Sequence, residues 1–280
     1  MSERVGRPES YIGVSGVVSP LQQEQIELLA DEADIQSVGR RLLLGVKATH
    51  KAQFLDRVNK YGTDWYPVGA ESFAGAIAKH SDNDTMAVAQ VFFDLTCVQN
   101  SEWYRKCFSD RIFERGSDWI DGIQFDMLRW DLHQELLEFV SDVKKRHDTK
   151  VLLQCHGPAM EGLKPAGVIK QLGRYANVLD YVLFDASHGQ SRTLDPDNLL
   201  RFLSAAYESE ELSEVGFGVA GGLDAETVQK LMPVIIQRFP DISWDAEGKL
   251  HLMIDDRPDK RPLDMNSVGE YLHVSKSVIC

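Results

Sequence analysis

Short apolar runs recur along the chain, separated by stretches whose apolar residues return every three or four positions. The runs are YIGVSGVV (11–18), RLLLGVKA (41–48), TMAVAQVFFD (85–94), IDGIQFDML (120–128), KVLLQCHG (150–157), LDYVLFDAS (179–187), VGFGVAGG (215–222) and PDISWD (240–245). Most are near-continuous rather than alternating, the pattern of strands buried on both faces. Between them, PLQQEQIELLADEA (20–33) carries Leu21, Ile26, Leu29 and Ala33 at helical spacing. LHQELLEFVSDVKKRH (132–147) groups Leu132, Leu136, Leu137, Phe139 and Val140, then ends in a basic turn that suits a helix C-terminus. LDPDNLLRFLSAAYESEE (194–211) offers Asp195 as N-cap and Pro196 as first helical residue, and LDAETVQKLMPVIIQRF (223–239) offers Asp224 as N-cap. Strand and helix thus alternate eight times, which predicts an α/β fold with a parallel sheet and helical crossovers, closed as a (β/α)8 TIM barrel.

A chain of 280 residues suits one such barrel, read here as a single domain over 1–280. Two stretches exceed the minimal barrel, 51–84 and 249–262, and are expected to be insertions on it. The formal net charge of −13 argues against nucleic acid as a partner, because phosphate binding needs a basic surface. It leaves room for a small, anionic metabolite held by a few local groups. No apolar run approaches the roughly 20 residues of a membrane helix. The opening MSERVGRPES has no apolar segment of the secretory kind, and Cys97, Cys107, Cys155 and Cys280 form no CxxC pair. A cytoplasmic protein with free thiols is expected.

In a barrel of this kind chemistry gathers at the C-terminal ends of the strands. The polar residues there are Ser15, Lys47, Asp94, Gln124, Asp126, Gln154, His156, Asp185, His188, Ser243 and Asp245. Asp185 stands out, since a carboxylate directly after an apolar strand needs a partner or a task. Asp94 and Asp126 suit helix caps as well as a site. His156, beside Gly157-Pro158, reads as a turn residue bonded to backbone, and Lys47 as a solvated lysine. Asp94, Asp126, His156 and Asp185 are also a set that could take a divalent ion, a weak signal because any barrel collects polar groups there. The glycines of AGGLDAETV (220–228) either bind an anion through bare N–H groups at a helix start or simply make a tight turn.

Taken in order, these segments resemble phosphoribosylanthranilate isomerase, a barrel family of tryptophan biosynthesis within the ribulose-phosphate-binding group. The first strand of that family reads K-I-C-G-I/L-T, against IGVSGVV here; the fourth carries V-Q-L-H, against GIQFDM. The sixth carries L-L-D and then G-x-G-K-T-F-D, against VLFDAS and GQSRTLD; the seventh A-G-G-L-x-P-E-N-V, against AGGLDAETV; the eighth D-V-S-S-G-V-E, against DISWDAE. The family's closing K-D-x-x-x-I-x-x-F/Y is echoed by LDMNSVGEYL (263–272). The resemblance implies an isomerase that opens a sugar ring with a general acid and moves a proton with a general base. It assigns the acid to Asp185. The base position falls on Ser15 where the family has cysteine, and Asp126 occupies the family's histidine position as an alternative base. Gln124, Arg192, Gly221, Gly222 and Ser243 would hold the substrate, with no cofactor and no metal. Trp244 and Asp245 replace a serine and a glycine of the family's phosphate loop, and a bulky ring and a negative charge there oppose a phosphate dianion. Two rivals stay open: a lyase or aldolase on the same barrel, using a metal at Asp94, Asp126 and His156 or an imine at Lys47, and a barrel that only binds its metabolite.

Overall fold

Eight parallel strands pair each with the next, and the eighth closes on the first. They are β1 (Tyr11–Ser15), β2 (Arg41–Thr49), β3 (Thr85–Phe92), β4 (Gly122–Asp126), β5 (Lys150–Cys155), β6 (Tyr181–Asp185), β7 (Gly216–Ala220) and β8 (Ser243–Ala246). The computed structural model describes residues 6–49, 52–53, 57–58, 62–78, 85–92, 112–114, 120–126, 130–185, 196–252, 254 and 261–280. Around the barrel run α1 (Pro20–Ala33), α2 (Ala70–Ile77), α3 (His133–His147), α4 (Pro165–Gly173), α5 (Pro196–Tyr207), α6 (Ala225–Arg238) and α7 (Met265–Ser277). The expected TIM barrel is the observed fold.

The near-continuous apolar runs follow from burial on both faces of each strand. One set of side chains points out to the helices: Val14, Leu44, Ala89, Phe125, Leu153, Phe184, Val219 and Trp244 belong to the large shell between strands and helices. The alternate set points inward, where Tyr11, Leu43, Met86, Val88, Leu152, Tyr181, Leu183 and Ala220 form a separate apolar floor. Tyr11 and Tyr181 meet edge to face across it, with ring centroids 5.3 Å apart. Burying each large member of this floor stabilises the barrel by roughly 1.5–3 kcal/mol.

Helix starts are fixed locally. Ser19 caps α1 by accepting from the Gln22 N–H at 3.3 Å, and Asp224 caps α6 by accepting from the Thr227 N–H at 2.7 Å. Asp195, the expected cap of α5, lies outside the described residues, while Pro196 does open that helix. The seam between β8 and β1 is held from outside by α7. Tyr271 Oη donates to the Gly13 carbonyl at 3.0 Å, and Trp244 Nε1 donates to Ser275 Oγ at 3.0 Å.

Both expected insertions carry structure where they are described. In the first, α2 packs on β2, β3 and α1, the place of an ordinary barrel helix. In the second, the flanks of 249–262 pair: the Leu252 N–H donates to the Pro262 carbonyl at 3.0 Å and the Asp264 N–H to the Leu250 carbonyl at 2.8 Å. Among the described residues, no helix is long and apolar enough to cross a membrane.

Candidate functional site at the barrel mouth

Above the apolar floor, the inward positions turn polar. Ser15, Lys47, Gln90, Gln124, Asp126, Asp185 and Asp245, with His156 just past β5, are all buried at the C-terminal ends of their strands. Burying so many polar groups is unfavourable unless they satisfy one another. They pair with one another in three groups, which leave His156 Nδ1 and Gln124 Oε1 without partners among the described residues.

The first group joins β1, β3 and β8. Ser15 Oγ donates to Asp245, 2.8 Å from Oδ2, and Gln90 Nε2 donates to Ser15 Oγ at 2.6 Å and to Asp245 Oδ2 at 3.3 Å. Two glycines make the room. A Cβ on Gly13 would lie 2.6 Å from Asp245 Oδ1, and one on Gly45 would collide with Ser15 Oγ and lie 2.7 Å from Gln90 Nε2. Burial pushes the Asp245 carboxyl up to about 7; Ser15, Lys47 and Gln90 hold it back, and the charge of Asp185 adds to the rise.

The second group joins β4, β5 and β6. Gln124 Nε2 donates to Gln154 Oε1 at 2.7 Å, and Gln154 Nε2 donates in turn to Asp185 Oδ2 at 3.3 Å. Beside this relay, His156 Nε2 contacts Asp126 Oδ1. Burial alone would lower the imidazole pKa, but the bond to Asp126 and the charges of Asp126 and Asp185 outweigh it, and the net shift is upward. His156 Nδ1 is buried without a partner. The expectation that His156 is a backbone-bonded turn residue is therefore corrected. It continues the inward parity of Leu152 and Gln154, so its ring enters the barrel. Asp126 pairs with that ring rather than only capping a helix.

The third group surrounds Lys47, which is 3% exposed and not the solvated lysine expected from sequence. Its ammonium lies 4.3 Å from the Trp65 ring centroid, 5.2 Å from Tyr66 and 5.4 Å from Phe92, and pairs with Glu247. The correction has the same physical basis: Leu43, Gly45 and Lys47 share the inward face of β2. Burial lowers the amine to about 7 against the pull of Asp126 and Asp245. Nearby, His251 Nδ1 lies 2.5 Å from the Arg261 carbonyl, and burial lowers its pKa to about 4.

The structure thus brings together Ser15, Gln124, Asp126 and Asp185 from the residues expected at the site. Gly221 and Gly222 follow β7 directly, at φ 94° and 64°, backbone that glycine adopts without strain. Ser243 lies at the opposite end of β8, where its Oγ accepts the Tyr11 N–H at 3.0 Å. Trp244 faces the helices, not the mouth, so its ring does not occupy a ligand position; this corrects the expectation that it blocks the site. Arg192, Asp94 and His188 lie outside the described residues. Gln90, Glu247 and His251 were not anticipated. For Gln90 the signal was present, since Met86, Val88 and Gln90 keep one parity in an otherwise apolar strand. Glu247 and His251 follow β8 and carry no such pattern. Among the described residues, no three His, Cys, Asp or Glu side chains converge closely enough to hold a metal ion. Cys155, on the outer face of β5, is buried and free, its thiol pushed up to about 12 by burial, and Cys280 is exposed and free.

No protein-family model matches the sequence, and no curated protein is similar to it. Solved structures do resemble it. A truncated 3-deoxy-D-arabino-heptulosonate 7-phosphate synthase from Thermotoga maritima superposes at TM-score 0.51 and 15% identity, covering 95% of this chain and 86% of its own. Ribulose-1,5-bisphosphate carboxylase/oxygenase from Pyrococcus horikoshii OT3 gives 0.54 at 12% identity, over 97% of this chain and 60% of its own. N-acetylneuraminic acid synthetase from Leptospira borgpetersenii gives 0.51 at 10%, over 97% and 84%. At such identities the likeness establishes the fold: the protein is a TIM barrel. Its particular chemistry has to be argued from the mouth itself.

Proposed function

We propose that the protein is an enzyme of the isomerase type that moves a proton between neighbouring carbons of a small sugar-derived carbonyl metabolite, in the manner of the phosphoribosylanthranilate isomerases it resembles. The observation that carries this reading is a pair of inward carboxylates, Asp185 and Asp245. They stand in register on either side of Ala220, whose methyl group takes up little of the space between them. Two carboxyl groups in unlike surroundings can divide the acid and base roles. Asp185 is the general acid, oriented by Gln154. Asp245 is the general base, since burial sets its carboxyl at about 7, where it is both available and basic near neutrality. Ser15 then positions the base instead of serving as one. A buried hydroxyl that donates to a carboxylate holds that carboxylate's geometry and is itself a poor base. Asp126 orients His156, whose buried Nδ1 has no partner among the described residues and is proposed as a donor for substrate oxygen. Gln124 steadies Gln154, and Gly221, Gly222 and Arg192 are proposed to take the anionic end. The solved structures of similar fold include proteins named for sugar phosphates, which favours a substrate of that kind.

The test is turnover of phosphoribosylanthranilate and of a panel of aldose phosphates in deuterated water, followed by NMR. Deuterium should enter at the carbon next to the carbonyl. Asp185→Asn and Asp245→Asn should each lower kcat by about 10²–10⁴-fold. A folded protein that neither turns over nor exchanges any member of the panel overturns the reading.

A further inference from the structure

We propose that Lys47 is a covalent anchor, whose amine condenses with the carbonyl of a small hydroxylated aldehyde or ketone to form an imine inside the barrel mouth. The step goes beyond the proton transfer argued above and rests on that reading only for the substrate class.

Lys47 lies on the inward face of β2, in register with Gln90 on β3. Rings from two directions enclose it: Trp65 and Tyr66 from the segment after β2, and Phe92 from the end of β3. A surface ammonium is hydrated and protonated, and neither form attacks a carbonyl. Burial among the rings removes water and so disfavours the charge, against the attraction of the ring faces for a cation, and the neutral amine is the form that attacks. The charged and titratable groups facing it are Glu247 after β8, Asp126 on β4, Asp245 on β8, and His251 and Arg261 from the paired loop. The carboxylates favour the ammonium and burial opposes them, leaving the amine at about 7. Charge and neutrality are then nearly balanced near pH 7, so a substantial share of the amine is neutral there, and the paired Glu247 carboxylate stands ready to relay the proton.

The step balances with these groups alone. The proton leaves Lys47 Nζ for Glu247. The neutral nitrogen attacks the carbonyl carbon, the N–C bond forms, and the carbonyl π pair moves to oxygen, which takes the proton back from Glu247. The carbinolamine nitrogen gives up its second proton to Glu247, which passes it to the hydroxyl. Water departs and the C=N bond closes. No oxidant, reductant or metal enters, and hydrolysis reverses every event. A protonated imine would also draw electrons from the neighbouring C–H bond, the bond that the proposed isomerisation breaks.

The rival to exclude is an ammonium locked permanently between Glu247 and the three rings. The protein is incubated separately with glycolaldehyde, dihydroxyacetone and dihydroxyacetone phosphate, each with cyanoborohydride and an added lysine peptide as internal reference. Peptide mapping then locates the adducts. Lys47 should be reduced to a secondary amine about 10-fold or more faster than the reference peptide near neutral pH, because an ordinary lysine is almost wholly protonated there. Its labelling should level off above about pH 7, whereas that of the reference keeps rising. Lys47→Met should abolish the adduct, and its folding is checked by its melting curve. Should that variant fail to fold, the rate ratio in the unaltered protein decides alone. Labelling of Lys47 no faster than the reference with all three carbonyls overturns the proposal. Trapping needs no turnover, so the two readings fail separately: an adduct without isotope exchange leaves the anchor standing and removes the isomerase, and exchange without an adduct does the reverse.

Discussion

Asp245 is a buried carboxyl bonded to Ser15 and Gln90. In an unfolded chain its carboxyl titrates near 4, whereas in the folded barrel burial raises it to about 7. The folded state therefore holds this proton more tightly than the unfolded one. That contribution to stability is complete below about pH 4 and is lost as pH rises through about 7. Asp245→Asn removes the dependence. We expect the variant to gain on the unaltered protein by on the order of 2–4 kcal/mol between pH 4 and pH 8, measured by denaturant melts at both values. A variant that gains nothing at the higher pH would show that the carboxyl is not desolvated. Ser15→Ala tests the neighbour. Without the donated hydrogen bond, the acidic limb of the rate profile should move to higher pH, whereas a serine acting directly as base would lose activity at every pH. Gly45→Ala is expected to lose about 1–3 kcal/mol and to displace Ser15 and Gln90, because its methyl would stand 2.7 Å from Gln90 Nε2.

Along single elements, parity is the organising fact. A strand that buries both faces presents one face to the helices and one to the barrel interior. A single β-strand can therefore hold a core residue next to one of the candidate site, as Trp244 and Asp245 do on β8. Trp244→Phe should loosen α7 by losing the bond to Ser275, costing about 1 kcal/mol, while leaving ligand binding intact. A loss of ligand affinity in that variant would restore Trp244 to the site. Helices respond to their caps instead. Asp224→Ala removes both the bond to the Thr227 N–H and the pair with Lys249 at 2.9 Å, and should cost about 1 kcal/mol in a melting experiment.

At the scale of the molecule, closure makes the site. Ser15 and Asp245 are partners separated by 230 positions of chain, and they meet only because β8 returns to β1. Lys47 and Glu247 meet for the same reason, one on the second strand and one just after the eighth. The seam and the candidate chemistry should therefore be lost together. α7 fastens that seam through Tyr271 and Trp244.

The sequence by itself determined the architecture. Eight near-continuous apolar runs separated by helical periods admit few folds other than a closed parallel barrel, because strands buried on both faces need helices on one side and each other on the other. It also determined local starts, such as Asp224 before α6 and Pro196 at the head of α5, since caps act over three or four residues. It placed Asp185, Ser15, Asp126 and Gln124 at strand ends, where the barrel does collect them. Only the tertiary structure decided which of them share a proton or a hydrogen bond. The direction of a side chain depends on strand parity, which a near-continuous apolar run does not mark; parity in the folded barrel is what puts Trp244 in the helix shell and Lys47 in the interior. Partners distant in sequence, Asp245 for Ser15 and Glu247 for Lys47, are set by barrel closure, and no local pattern encodes them.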